Sequence, residues 1–219
     1  KPGPIGAHNW HPMSFSPKTG LVYIPANDTA FPYIPKPGWK ANAQGFNVGL
    51  DLAAGAMPAD AKARAGFAAV TTGALIAWDP VAQKERWRVQ YRGPWNGGLL
   101  STGGGLVFQG TATSEFNAYD AASGKKLWSF PAQTGVVAPA ATFSIKGEQY
   151  VAVMAGWGGA WALASGMLSE VSGPVRNKSR LLVFKLGGTA KLPAMESLAK
   201  LPLDPPPSRG TLAQIADGG

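Results

Sequence analysis

His8 and His11 are the only histidines in the 219-residue chain. Two histidines three apart could share one helical face and hold a metal. Trp10 between them and Pro12 directly after favour a loop instead, and no third ligand is near, whereas zinc needs three or four. Both histidines therefore read as structural or as supports behind a site. The chain has 12 Asp plus Glu, scattered singly, so paired acid–base catalysis is unsupported. It has no Cys, which excludes a thiol nucleophile, a thiolate metal site, a disulfide framework and a covalently attached c-type haem within these residues. Gly103-Gly104-Gly105 leads into an apolar run and reads as a turn, not as a phosphate cradle. No Gly-x-Ser-x-Gly, P-loop or His-Glu-x-x-His is present. What remains is Asn9 with the tryptophans Trp10, Trp95, Trp157 and Trp161. Flat indole faces serve equally to line a pocket and to pack between sheets, and Asn9 suits a turn.

The elements that would carry these residues follow from composition. Gly 29 and Pro 19 would break long helices, while Trp 8, Phe 9 and Tyr 5 supply a large aromatic core. A turn-rich, all-β protein is expected. The net charge of +8 comes with only 15% charged residues. Its basic pairs are scattered (Arg86 and Arg88, Lys125 and Lys126, Arg176 and Lys178), which reads as solvated surface and not as a nucleic-acid footprint. The longest apolar run, Val151 to Ala164, is interrupted by Gly156, Gly158 and Gly159. It is shorter than the roughly 20 residues of a membrane-spanning helix, so no transmembrane segment is expected. No apolar leader precedes Lys1-Pro2-Gly3-Pro4, and no signal peptide is read there.

Internal repetition is the strongest pattern. Ala77, Asp79 and Trp87 recur as Ala118, Asp120 and Trp128, each pair 41 residues apart. Each copy runs from an apolar strand into an Asp, a polar turn, and a second strand bearing the Trp. Asp79 and Asp120 suit the turn, because a carboxylate there accepts backbone N–H groups. Trp87 and Trp128 then return on the neighbouring strand to pack between sheets. A period of about 40–45 residues with several short strands per unit is that of propeller blades. Gly-turn-plus-strand units at 19–25, 104–110 and 146–154, with 180–187 as a last strand, bring the total to about four blades' worth of material. Phe31 to Phe67 carries Pro32, Pro35, Pro37 and an Ala-rich stretch, and is expected as a long excursion between blades, with a short helix, near a site. From 191 to 219 the chain turns Pro-rich and reads as a tether; residues 1–190 would be the propeller part.

Ala7-His8-Asn9-Trp10-His11-Pro12-Met13, Gly93-Pro94-Trp95-Asn96-Gly97-Gly98, and Gln149-Tyr150-Val151-Ala152-Val153 followed by Gly156-Trp157-Gly158-Gly159 closely resemble the pyrroloquinoline quinone (PQQ)-dependent alcohol dehydrogenases. Around them, the Asp-turn-Trp repeats resemble the tryptophan-docking motif that fastens adjacent blades in that family's eight-bladed propeller. The resemblance covers nearly the whole chain, as the C-terminal half of the propeller domain, with the tail resembling the linker to a cytochrome c domain in the quinohaemoprotein subgroup. It implies a periplasmic enzyme that oxidises small alcohols by hydride transfer to PQQ beside a calcium ion, with a cytochrome c as electron acceptor. Residue by residue, Asn9 and Trp10 match a pair contacting the quinone and Trp95 matches a pocket tryptophan. Trp157 or Trp161 matches a further pocket aromatic, the Gly-Trp-Gly-Gly-Ala-Trp spacing leaving open which.

In the family the catalytic Asp, the calcium ligands and the stacking Trp precede the Asn-Trp motif, and the haem c motif follows the linker. The resemblance thus implies no catalytic residue and no metal ligand in this chain, and no turnover by the chain alone. A complementary propeller half or a longer parent chain is the expected partner. The alternative is a non-catalytic binding scaffold or a half-ring assembly subunit. Cofactor binding separates them, since only the quinoprotein requires PQQ and calcium together.

Overall fold

The structure is a computed structural model that describes residues 1–44, 47–56, 58–158 and 178–195. Trp161 and most of the Pro-rich tail lie outside these residues. Eleven strands make three antiparallel sheets among them. The first sheet runs in order β1 (Ser14–Ser16), β2 (Leu21–Asp28), β3 (Thr72–Asp79) and β4 (Lys84–Tyr91). The second runs β5 (Leu99–Ser101), β6 (Leu106–Gly110), β7 (Glu115–Asp120) and β8 (Lys126–Pro131). The third holds β9 (Ala140–Ile145), β10 (Glu148–Ala155) and β11 (Arg180–Lys185), with β10 in the middle. Each sheet uses strands consecutive in sequence, laid side by side in up-and-down order, as in a propeller blade. About four blades' worth of material is thus three sheets among the described residues: 146–154 supplies β10, and the last strand at 180–187 supplies β11 beside it.

Alternation along the strands sets the cores between sheets. Leu21, Tyr23, Leu75 and Ala77 of the first sheet face Leu99, Val107, Tyr119 and Ala121 of the second. The opposite face of the second sheet, with Phe108, Phe116 and Phe130, meets Val151, Val153, Leu182 and Phe184 of the third. Phe116 and Tyr119 are three apart on β7, an odd step that sends them to opposite faces of one strand.

The 41-residue repeat is repeated in the geometry. Ala77 pairs with Trp87 and Ala118 with Trp128, and each pairing is followed at once by a break in register. Trp87 Nε1 donates to the carbonyl of Ala121 in the next sheet at 3.3 Å, and Tyr23 Oη donates to the same oxygen at 2.8 Å. Trp128 meets Phe184 of the third sheet edge-on, at 5.1 Å between centroids. Asp79 caps its turn by accepting from Val81 and Ala82, and Asp120 accepts from the backbone and hydroxyl of Ser123.

The long excursion runs between β2 and β3, paired neighbours within one sheet, and not between blades as expected; it holds a helix α1 (Ala61–Ala69) capped by Asp60, whose side chain accepts from the Ala63 N–H. Because β2 ends and β3 begins at the same end of the sheet as the start of β1, the excursion lies at that end. The Asp turns lie at the other.

Candidate functional site

Segments 5–13, 92–98, 111–114, 132–139 and 156–158 all sit at the end of the sheets where β1, β5 and β9 begin. They bring four of the five tryptophan and asparagine candidates together. Asn9 closes its own loop: its Nδ2 donates to the Ile5 carbonyl at 2.8 Å, and its Oδ1 accepts the Trp10 N–H at 2.8 Å. Trp10 meets two rings, His11 by stacking and Trp95 edge-on at 6.3 Å and 77°. Its ring stacks on His11 at 4.0 Å and 22°, and 52% of the residue remains exposed. His11 in turn meets Trp95 edge-on at 4.8 Å and 89°. Trp95 packs with Ala112 and Val137, and Trp157 and Ile5 pack against that group. Glycine at 135 makes room for Trp157, since a Cβ there would collide with the indole.

The loop carrying Trp95 is built under constraint. Trp95 has φ 66°, a left-handed backbone that costs a non-glycine residue about 1–2 kcal/mol. Hydrogen bonds hold it there. Its N–H donates to Asn27 Oδ1 at 2.9 Å, Asn96 Nδ2 donates to the Gly93 carbonyl at 2.9 Å, and the Gly97 N–H donates to the Gly110 carbonyl at 2.9 Å. Beneath the loop, fully buried Gln109 donates to the Gly97 carbonyl at 2.8 Å and accepts the Tyr91 hydroxyl at 2.7 Å. Burial pushes the Tyr91 phenol well above its usual range, so it stays a neutral donor.

His11 is the residue whose place the sequence does not reveal. It is 2% exposed, and its buried Nε2 has no hydrogen-bond partner among the described residues. Burial, with His8 adding a smaller push, lowers its pKa to about 4 from the usual 6.5. At neutral pH it is an uncharged aromatic plate between Trp10 and Trp95. His8 lies outside this stack, its Nδ1 bonded to the Pro25 carbonyl at 2.9 Å.

A pH dependence follows from His11. The unfolded chain takes up a proton near pH 6.5 and the folded one only near 4, so stability is full above the higher value. It falls as pH drops through that interval, by about 3 kcal/mol in all. The expected result is that His11→Phe removes this component of the acid limb in urea titrations at pH 7, 5.5 and 4. An unchanged slope would show that His11 titrates normally.

Asp79 and Asp120 are not part of the site. They lie at the far end of the sheets, and hydrogen bonds, chiefly from the Ala82 N–H and the Ser123 hydroxyl, hold their carboxyls below the usual range. They are ionised turn caps and poor bases. Among the described residues no three His, Cys, Asp or Glu come together as a metal would need. Asn27, which accepts the Trp95 N–H, is a residue that sequence reasoning missed. Only the turn residues around Trp95 hinted that something must hold that loop.

The chain is similar to known proteins. Residues 57–151 match the family model "PQQ: Glucose/ethanol/alcohol dehydrogenase, beta-propeller domain". The chain is 47% identical over 206 residues to the dehydrogenase subunit of the quinone alcohol dehydrogenase of Acetobacter aceti, covering 94% of this chain and 28% of that protein. It is 48% identical over 219 residues to quinohemoprotein alcohol dehydrogenase ADH IIB of Pseudomonas putida, covering 99% and 30%. The solved structure of ADHIIG from Pseudomonas putida HK5 superposes with a TM-score of 0.82 at 43% identity, over 99% of this chain and 32% of that one. The chain thus resembles these propeller dehydrogenases along nearly its whole length, and spans about three tenths of theirs.

Proposed function

We propose that this chain is the C-terminal part of the propeller of a PQQ-dependent alcohol dehydrogenase of the quinohaemoprotein kind, and that it forms one wall of the quinone pocket. The observation that carries the reading is the aromatic stack. Trp10 presents a half-exposed flat face, backed by a neutral His11 and braced by Trp95, a surface suited to a planar, electron-poor ring system.

Its residues fit such a group in a limited way. Trp10 would lie against the ring, Asn9 would hold Trp10's loop in place, and Trp95 and Trp157 would close the wall and exclude water. Trp161 is a second candidate for that closing role. When bound, the quinone supplies a two-electron acceptor for the hydride of an alcohol. The calcium that the resemblance implies finds no ligand cluster among the described residues. Its ligands, like the base that takes the alcohol's hydroxyl proton, belong in this reading to the rest of the propeller. So do delivery of electrons to a cytochrome c, a haem c domain beyond the 191–219 linker, and a periplasmic location. No helix among the described residues is long and apolar enough to cross a membrane.

In the same reading, Trp87 and Trp128 with their Asp turns fasten neighbouring blades. Both end sheets leave apolar side chains on their outer faces, Phe15 on the first and Met154, Leu181 and Val183 on the third. Such faces fit a further blade on either side better than a free-standing scaffold.

The deciding experiment starts from native and denatured mass. A polypeptide or complex larger than this chain's 22.7 kDa is then assayed for PQQ released on denaturation and for dye-linked alcohol oxidation with and without calcium. Released PQQ and calcium-dependent oxidation are expected. A particle that completes the ring yet holds no quinone and oxidises no alcohol would leave the scaffold reading in its place.

A further inference from the structure

Asn27 ends a row of inward-facing residues on β2 and is 8% exposed. Its backbone N–H donates to the Ala7 carbonyl at 2.8 Å, two residues before Asn9. Its side-chain Oδ1 accepts the Trp95 N–H at 2.9 Å. One residue therefore grips both loops that build the aromatic stack. Opposite it in the sheet stands Gly73. A Cβ there would lie 2.5 Å from Asn96 Nδ2 and 2.6 Å from the Gly93 carbonyl, so glycine lets the Trp95 loop settle against the strand within reach of Asn27.

We infer that Asn27 is a positioning residue that sets the orientation of Trp10 at a distance. By holding Trp95 in its left-handed backbone it fixes the indole edge against His11, and His11 fixes the plane of Trp10. Without the acceptor at Oδ1 the Trp95 N–H would lose the hydrogen bond that holds the left-handed turn, and the loop would shift. The indole would then leave His11, and Trp10 would lose its backing. The consequence for cofactor binding rests on the quinone-pocket reading; the clamp itself does not.

The test uses the full chain, labelled for amide and indole NMR. In the wild type the Trp95 amide is expected to exchange slowly although it lies outside every strand. Fast exchange there would overturn the clamp without any variant. Asn27→Leu is expected to speed that amide by about tenfold, the worth of one hydrogen bond, and to shift the Trp10 and Trp95 indole signals. Asn27→Asp, which keeps the acceptor oxygen, is expected to restore both. If Asn27→Leu instead speeds exchange evenly along β2 and β3, or if Asn27→Asp fails to rescue, the residue is merely part of the sheet. In the larger particle, the affinity for PQQ should fall about tenfold in Asn27→Leu and recover in Asn27→Asp, with the KM for alcohol unmoved. A wild-type particle that binds no PQQ would sink the quinone reading, while the exchange result would still decide the clamp.

Discussion

Gly124→Ala is expected to cost about 4 kcal/mol of stability and to loosen the first sheet from the second. Two effects add. Gly124 has φ 72°, where any side chain is strained by about 1–2 kcal/mol. A Cβ there would also stand 2.5 Å from Trp87 Cε3 and 2.8 Å from Cδ2, an overpacking worth about 1–3 kcal/mol. The indole cannot easily retreat, because it is tied to the Ala121 carbonyl and packed 5.6 Å from the Tyr23 ring. The equivalent position one repeat earlier is Gln83, which holds φ 51° without being glycine and is exposed. Gln83→Ala therefore serves as the control: it exchanges one non-glycine residue for another at a positive φ, adds neither the strain nor the collision, and should be close to neutral. Urea unfolding followed by tryptophan emission would measure both. A Gly124→Ala loss under about 1 kcal/mol would mean that Trp87 does not hold the two sheets together.

The second large effect is at Phe116. It is 1% exposed at the centre of the second interface, 5.8 Å from the Phe108 ring, 5.5 Å from Phe184 and 6.2 Å from Trp128. Phe116→Ala removes the ring that three others pack upon and should cost about 4 kcal/mol. Phe116→Leu, which keeps most of the volume, should cost about 1.5 kcal/mol or less. The ratio is informative, because the alanine cavity lies between sheets that cannot close without moving a whole strand. Equal losses for the two variants would mean that the stacking of the Phe116 ring on Phe184, and not volume, holds the third sheet on.

How far these features could be read from residues alone differs by level. The Asp-turn-Trp repeat is legible because one turn and one bulky residue recur at a fixed spacing, and the structure returns the same register break in both copies. The number of sheets is less legible. A turn-plus-strand unit looks alike whether it opens a blade or continues one, and only pairing tells β10 and β11 that they are neighbours. The excursion at Phe31 to Phe67 is legible from its prolines, and its helix from the alanines after Asp60. At the site, Asn9, Trp10, Trp95 and Trp157 were singled out through resemblance, since an indole in a pocket and one in a core have the same sequence signature. His11 and Asn27 escape for a different reason. Their roles depend on a backbone angle at Trp95 and on a stack across two loops, and neither leaves a pattern in the spacing of residues.

The two outer faces of the three-sheet stack differ from each other. One offers Phe15, Val22, Ile24 and Ile76, the other Phe143, Met154, Leu181 and Val183. Sheets stacked with a constant turn from each to the next make a polar series, with a head and a tail, and no two-fold axis can bring head and head into register by the same contact. Any association that reuses the contacts inside the stack is therefore heterologous. Such an association closes when the accumulated rotation reaches a full circle and otherwise runs on as a helix. The angle between consecutive sheets, set by how far residues such as Trp87 and Phe116 wedge them apart, thus decides between a finite particle and a fibre.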